Sequence, residues 1–244
     1  MPTTLQLGDT VPAFALADTD GAEHHVPLAA APPATVLVVT CLHCPYVIAW
    51  NPRLRAVAEE YAPRGVRFLG IHANDATRYP ADSLEHMKRF VGEHDWPYPY
   101  LHDVSQDVAH ALGAEVTPHV FVLDGQQRLV YRGAPDADHR DPSRDAAWLR
   151  RALEAVLAGE QVAEPETRAR GCSVKWRAWR RITSDRRDEP HLAVAACVSV
   201  RELPVRWRPA ASPERSTPPT TAPRGIRASP PHSDRARSAQ QASG

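Results

Sequence analysis

The chain has 244 residues, of which 43% are hydrophobic and 24% charged, a balance typical of a soluble globular protein. Its 29 basic and 29 acidic residues leave no net charge, which gives no reason to expect nucleic acid or an anionic membrane as a partner. Residues 1–20 lack a basic start followed by an apolar run, and no stretch approaches the ~18 apolar residues of a membrane span. We therefore expect no signal peptide and a cytoplasmic location.

The first half of the chain carries a strand, a helix and a second strand in direct succession. Residues 34–40 (ATVLVVT) form a short apolar run rich in β-branched residues, which predicts a strand buried on both faces. Apolar residues at helical spacing over 47–61 predict a helix that ends before Gly65. Residues 66–72 repeat the buried-strand pattern.

The following elements are shorter. We predict a helix that is capped by Asp82 or Ser83 and runs to about Glu93. The remaining elements are a short helix at 107–112, a hairpin of two strands at 119–123 and 128–132, and a final amphipathic helix at 146–157. This order predicts an α/β fold with a central mixed sheet that helices flank on both faces.

The composition changes after residue 176. Residues 177–244 are rich in Arg, Pro, Ser and Thr, and they offer little apolar surface to bury. We therefore predict a folded domain over 1–176 and a low-complexity, disordered tail over 177–244. A tail that binds RNA or a partner is the alternative.

Two cysteines stand at the junction of the first strand and helix, in the order Cys41-Leu42-His43-Cys44. A helix N-terminus carries partial positive charge and unpaired N–H groups, and both stabilise a thiolate. We assign Cys41 as the attacking nucleophile and Cys44 as the resolving thiol, with His43 adding positive charge when it is protonated. A strand that leads into C-x-x-C and a helix is typical of a thioredoxin-like domain.

Structural zinc and two ordinary buried thiols are the other interpretations of this pair. A zinc site needs further ligands, and the remaining cysteines, Cys172 and Cys197, do not form a second C-x-x-C. The junction of a strand and a helix is also an unusual place for two inert thiols. The spacing therefore favours redox chemistry.

Thr117-Pro118 is the second element of the candidate site. It stands just before a predicted strand, where a cis proline would bring an extended backbone edge beside the disulfide, available to pair with a substrate strand. A trans proline at the start of a strand is the alternative.

Several segments, in order, resemble the redoxin superfamily and in particular its peroxiredoxin-like branch of thioredoxin-fold proteins. The segments are LGDTVPAFALADTDG (7–21), TCLHCPYV (40–47), NDATRYPADSLEHMKRF (74–90), WPYPYLHD (96–103), TPHVFVLD (117–124), LVYRG (129–133) and GCSVKW (171–176). The resemblance implies a thioredoxin fold with an N-terminal β extension and a redox-active Cys41/Cys44 pair beside a cis Pro118. It also implies Cys172 as a third redox cysteine, for which a free thiol on a C-terminal arm is the alternative.

One part of the family pattern is missing. Peroxiredoxins carry a T-x-x-C motif where this chain has C-x-x-C. The resemblance therefore implies that Cys44 would take the position of the peroxide-attacking cysteine and Cys41 that of the threonine. They also carry an Arg near the strand that begins here at Thr117, and residues 115–123 contain none. The sequence therefore favours thiol–disulfide exchange, with a thiol peroxidase and a non-catalytic redox sensor or partner-binding module as alternatives.

The expected partners follow from this chemistry. They are protein or low-molecular-weight disulfides and thiols, a thiol reductant, and peroxides in the alternative function. We expect no cofactor, metal, nucleic acid or membrane partner, and a monomer or weak dimer. The twelve histidines are expected to be scattered surface residues.

Overall fold

The computed structural model of the protein describes residues 5–27 and 31–178. In chain order the described elements are β1 (Phe14–Ala17), β2 (Glu23–Val26), β3 (Ala34–Thr40), α1 (Pro45–Tyr61), β4 (Arg67–His72), α2 (Leu84–His94), β5 (Tyr100–His102), α3 (Asp107–Leu112), β6 (Val116–Thr117), β7 (His119–Asp124), β8 (Leu129–Gly133), α4 (Ala147–Ala158) and β9 (Cys172–Ser173). Cys197 and the predicted tail from residue 179 onward lie outside the described residues.

A five-stranded mixed sheet forms the centre of the fold, in the order β5-β4-β3-β7-β8. β3 pairs parallel to β4 and antiparallel to β7, and β4 pairs parallel to β5. All seven residues of β3 are buried, as expected of a central strand that is covered on both faces. The predicted central mixed sheet is confirmed.

Apolar side chains of the central sheet form a core on each of its faces. On one face, Trp50 and Leu54 of α1 and Leu149 of α4 pack against alternate residues of β3. On the other face, Val108 and Leu112 of α3 pack against the intervening residues. This alternation follows from the period of two along a strand, and it confirms the prediction of helices on both faces.

Of the two residues that the sequence offered as the N-cap of α2, the structure shows which one caps the helix. Ser83 is the N-cap, and its hydroxyl oxygen accepts from the His86 amide at 3.5 Å. Asp82 is fully buried, and its carboxylate is turned toward residues of the candidate site. Asp82 is therefore a buried polar residue rather than the cap.

Two small ribbons lie outside the central sheet. β1 pairs with β2, which is the N-terminal β extension that the resemblance implied. β6 pairs antiparallel with β9, joining Val116 to Ser173 and Thr117 to Cys172. The sequence did not predict this second ribbon, which brings the end of the described chain to the candidate site.

No helix within residues 5–27 and 31–178 has both the length and the apolar character that crossing a membrane requires.

Candidate functional site

The C-x-x-C motif lies where β3 ends and α1 begins. Cys44 is the N-cap residue of α1, and Pro45 occupies the first helical turn, where a missing N–H leaves no helical hydrogen bond unmade. Cys41 and Cys44 are free thiols, with exposed fractions of 2% and 1%. The buried strand thus delivers both sulfurs to the N-terminal end of a helix, which is the placement that the sequence predicted.

Thr117 contacts both thiols. Cys41 Sγ lies 3.2 Å from Thr117 Oγ1, and the Cys44 thiol donates to the Thr117 carbonyl oxygen at 3.1 Å. The Thr117–Pro118 peptide bond is cis, as the resemblance implied. The structure therefore brings together the two sequence motifs, which are separated by more than seventy residues.

The ribbon of β6 and β9 adds Cys172 to this cluster. Thr117 and Cys172 are directly paired, and the Thr117 hydroxyl lies 3.5 Å from the Cys172 carbonyl oxygen. A Cβ on Gly171 would lie 2.1 Å from the Thr117 carbonyl oxygen, so glycine is what allows the two backbones to approach this closely. The backbone edge that was expected to receive a substrate strand is occupied by the protein's own β9.

Contacts on the C-terminal side of β9 hold this arm in place. The Lys175 amide donates to the Asn74 side chain at 2.9 Å, and the Lys175 carbonyl accepts from the Gln106 side chain at 3.0 Å. The Trp176 ring stacks on His110 with their centroids 3.9 Å apart. These contacts fix the position of Cys172 beside the dithiol.

A hydrogen bond between the two sulfurs shifts the pKa values of Cys41 and Cys44 in opposite directions. The Cys41 thiol donates to the Cys44 sulfur, and the amides of Val47 and Cys172 point to the same sulfur. These donors outweigh burial and lower the pKa of Cys44 below its ordinary value, whereas the Thr117 carbonyl oxygen 3.1 Å away favours the protonated thiol. The pKa of Cys41 is raised above its ordinary value, because its proton is shared with Cys44 and because the thiol is buried.

Cys172 differs from Cys44 in its protonation. Burial raises the pKa of Cys172 to about 11, and a hydrogen bond to the Cys44 sulfur acts in the same direction. A cavity of about 180 Å³ reaches all three cysteines. Its lining residues are Cys41, His43, Cys44, Pro45, Asn74, Thr117, Cys172, Ser173 and Lys175.

His43 is linked to a buried carboxylate. Its ring is about half exposed, and Nδ1 lies 3.3 Å from Asp82 Oδ1. The same carboxylate is 3.1 Å from His72 Nε2 and accepts from Asn74 Nδ2 at 2.9 Å. Burial opposes the ionisation of Asp82, but the hydrogen bonds from His72 and Asn74 hold its pKa below the ordinary value of 3.8.

This network is a part of the site that the sequence analysis missed. Asp82 was interpreted as a helix cap, and His72 as a scattered surface histidine, whereas both are fully buried. His119 is also buried, and burial lowers its pKa to about 4. The surface assignment was therefore wrong for His72 and His119. A histidine inside an apolar strand, as in VRFLGIH, was the available signal.

Metal ligation has no support in the described part of the chain. Across residues 5–27 and 31–178, no group of three or more His, Cys, Asp or Glu side chains is placed to hold a metal ion. The Asp82 carboxylate instead satisfies hydrogen bonds from Asn74 and a histidine.

Comparisons with known proteins place this site in a family. The Redoxin family model matches residues 6–147. A comparison with curated proteins finds no match. The family match covers the C-x-x-C motif, Thr117 and Pro118, and it ends before Cys172.

Solved structures extend the likeness beyond the family model. A hypothetical protein from Sinorhizobium meliloti 1021 is 34% identical, with a TM-score of 0.67 over 72% of this chain and 97% of that chain. An uncharacterized conserved protein from Geobacillus kaustophilus is 37% identical, with a TM-score of 0.66 over 72% and 94%. A candidate thioredoxin from Neisseria meningitidis, 17% identical with a TM-score of 0.51 over 64% and 96%, shares the fold, which is thioredoxin-like as predicted. On the family match and these relatives, the chain belongs to the Redoxin family.

Proposed function

We propose that this redoxin is a thiol–disulfide oxidoreductase that works through the Cys41/Cys44 dithiol. The observation that carries the proposal is the shared position of the two sulfurs, both in contact with Thr117 before a cis proline. Two thiols within hydrogen-bonding reach at a helix N-terminus combine a stabilised thiolate with a second sulfur that can close a disulfide.

The reaction converts one disulfide into another. A thiolate of the pair attacks a substrate disulfide, forms a mixed disulfide and releases one substrate thiolate. The second thiol of the pair then loses its proton and attacks the mixed disulfide, which releases the other substrate thiolate and leaves Cys41 and Cys44 bonded. The substrate gains two electrons, and a thiol reductant returns two electrons to the protein in the reverse sequence.

The order of attack is the part of the assignment on which sequence and structure differ. The sequence assigned the first attack to Cys41. The donors that converge on Cys44 favour a thiolate on Cys44 while both thiols are reduced. The Thr117 hydroxyl can donate to Cys41 Sγ, which supports Cys41 as a thiolate once Cys44 is engaged. His43 adds positive charge beside the pair when it is protonated.

Peroxidase activity is the second candidate function, and the lowered pKa of Cys44 favours it. In this reaction the Cys44 thiolate attacks a peroxide, becomes a sulfenic acid and releases the other oxygen as water or an alcohol. A neighbouring thiol then displaces the sulfenic hydroxyl as water and forms a disulfide. The residues that line the cavity at the three cysteines include no arginine to polarise a peroxide, and Lys175 is the cation there.

Cys172 is the third redox cysteine of this proposal. Its thiol lies within hydrogen-bonding reach of the Cys44 sulfur. In the oxidised protein a Cys172 thiolate can attack Cys44, releasing Cys41 as a thiolate and moving the disulfide to Cys44 and Cys172. Its raised pKa makes this transfer slow near neutral pH, because the thiolate is the attacking form.

Two assays on the same variants test the proposal. Reduction of a model disulfide and consumption of hydrogen peroxide are measured for the wild type, Cys41→Ser, Cys44→Ser and Cys172→Ser. We expect disulfide turnover in the wild type, its loss in both variants of the pair and at least partial retention in Cys172→Ser. Rapid peroxide consumption that survives Cys41→Ser but not Cys44→Ser would replace the exchange reaction with the peroxidase.

A further inference from the structure

The position of β9 limits what can approach the dithiol. A protein substrate would pair its strand with the backbone edge of Thr117, as extended peptides do when they add to an exposed sheet edge. Here that edge already pairs with Cys172 and Ser173. The close approach at Gly171 leaves no room for a second strand between them. The arrangement therefore favours a substrate that reaches the sulfurs without forming a strand.

A cavity of about 650 Å³ is lined in part by chain neighbours of the site residues. Tyr46, Val116 and Gly171 line it, and each is within two residues of Cys44, Thr117 or Cys172. The Tyr46 side chain also packs against the buried Cys41/Cys44 cluster, so this residue contacts both the cavity and the dithiol. The volume falls within the range of roughly 300–1,000 Å³ that is usual for small-molecule sites.

Positive charge dominates this cavity. Arg140, Arg168 and Arg170 line it and are exposed. Within the described residues, none of their guanidinium groups forms an ion pair or a hydrogen bond. Besides the Tyr46 phenol, the other ionisable side chains that line it are Asp138 and His139, which lie 3.8 Å apart. Three unpaired guanidinium groups against one carboxylate form a site suited to an anion.

The wall of the cavity is held by a buried ion pair. Arg53 Nη1 donates to Asp136 Oδ2 at 2.8 Å, and the same guanidinium donates to the carbonyl oxygens of Asp138 and His139 at 2.9 and 3.1 Å. The His139 ring packs on Tyr46 with the ring centroids 4.1 Å apart. The loop that carries Arg140 is therefore fixed to α1, the helix that Cys44 caps.

We propose that this cavity, lined by Arg140, Arg168 and Arg170, binds the anionic groups of a low-molecular-weight disulfide and presents its sulfurs to the Cys41/Cys44 dithiol. The inference rests on the proposed exchange reaction and names its substrate class. The bound disulfide takes two electrons from the dithiol and leaves as two anionic thiols, while Cys41 and Cys44 become bonded. Carboxylates and phosphates share the chemistry that guanidinium groups recognise.

A single-turnover experiment tests the substrate class. The reduced protein is mixed with glutathione disulfide, which carries carboxylates, coenzyme A disulfide, which carries phosphates, or neutral 2-hydroxyethyl disulfide. Each rate constant is divided by that of the same disulfide with free 2-mercaptoethanol, which removes intrinsic reactivity. The proteins are the wild type, the double variant Arg168→Gln/Arg170→Gln, and Arg89→Gln on α2 as a matched control.

At low salt, we expect at least one anionic disulfide to react about tenfold faster than the neutral one, and salt to reduce this preference. The double variant should lose the preference and leave the neutral rate unchanged, while Arg89→Gln behaves as the wild type. The anion that is preferred distinguishes carboxylate from phosphate recognition. Equal normalised rates in the wild type, or equal losses for all three disulfides in the double variant, would overturn the proposal.

A binding measurement separates this inference from the proposed function. S-methylglutathione cannot exchange its sulfur, and its binding, like that of coenzyme A, is followed by calorimetry. If no disulfide oxidises the dithiol, the exchange reaction fails as the function. Binding to the wild type that is lost in the double variant would still uphold the anion cavity, and absence of binding to the wild type would overturn it.

Discussion

The central sheet and the ribbon of β6 and β9 are stabilised in different ways. β3 is paired on both sides and buried along its whole length, between two apolar cores. β6 and β9 are two residues each, and their ribbon depends on a single pair of strands and a close approach at Gly171. The sheet carries the stability of the domain, whereas the ribbon carries the residues that surround the sulfurs.

This difference means that the site can be perturbed without unfolding the domain. Long buried strands lose packing when a single side chain is removed. A two-residue ribbon buries little apolar area, so opening it is a local event.

The largest expected effect is on the sheet. Leu37→Ala removes a fully buried side chain from β3 and should lower the free energy of unfolding by about 2–5 kcal/mol. Urea denaturation measures the loss. Val104→Ala, at a residue that is 48% exposed, is the control and should change stability by less than about 0.5 kcal/mol. Equal effects at the two positions would contradict the assignment of stability to the sheet.

An intermediate effect is expected at Asp82, which joins the fold to the site. Asp82→Asn removes the negative charge and leaves one acceptor oxygen where His72 and Asn74 use two, so it should cost about 1–3 kcal/mol at pH 7. The lowered carboxyl pKa stabilises the fold above 3.8, its unfolded value, and this contribution is lost as the pH falls through the lower folded value. The stability difference from the wild type should therefore shrink below pH 3.8.

Denaturation curves at several pH values provide the check for Asp82. A difference that stays constant from pH 7 down to pH 3 would show that the carboxylate charge does not contribute.

The ribbon should respond to Gly171→Ala with a smaller change in stability. The new Cβ would lie 2.1 Å from the Thr117 carbonyl oxygen, so β9 must move away from β6. We expect a loss of under about 1 kcal/mol in unfolding free energy, because the opening is local. Alkylation of Cys172 should become faster. Gly92→Ala, where a Cβ meets nothing within 4 Å, is the control and should leave the Cys172 rate unchanged.

The smallest expected effect is a difference between Cys44 and Cys172 in how their alkylation rates depend on pH, and it leaves the fold intact. The lowered pKa of Cys44 predicts that alkylation of Cys44 by iodoacetamide becomes level at a lower pH than alkylation of Cys172. Cys172, with a pKa of about 11, should show a rate that still rises at pH 8. Peptide mass spectrometry separates the two sites. A Cys44 rate that rises through pH 8 would contradict the stabilised thiolate.

The parts of the molecule that sequence predicts well are those with a local signal. β3 was predicted at residues 34–40 because its apolar run is continuous, and the short helix predicted at 107–112 has the bounds of α3. The cis Thr117-Pro118 bond came from the resemblance and is confirmed. The strand and the helix are each specified by residues that are neighbours in the chain.

The parts that sequence analysis missed depend on contacts between distant residues. β6 and β9 have no period to detect, and the arm that carries β9 is also held by contacts of Lys175 with Asn74 and Gln106. The polar contacts of Asp82 likewise depend on the position of β4 relative to α2, which no local pattern encodes. The lowered pKa of Cys44 depends first on the Cys41 thiol and also on Cys172, and the fold alone brings Cys172 to this sulfur.

The most direct test of the Cys41/Cys44 dithiol is a disulfide map of the oxidised protein. The reduced protein is treated with one equivalent of a low-molecular-weight disulfide, its free thiols are counted, and its peptides are mapped without reduction. We predict the loss of two thiols and a bond between Cys41 and Cys44, with Cys172 free. A first bond between Cys44 and Cys172 with Cys41 free, or no loss of thiols, would contradict the account.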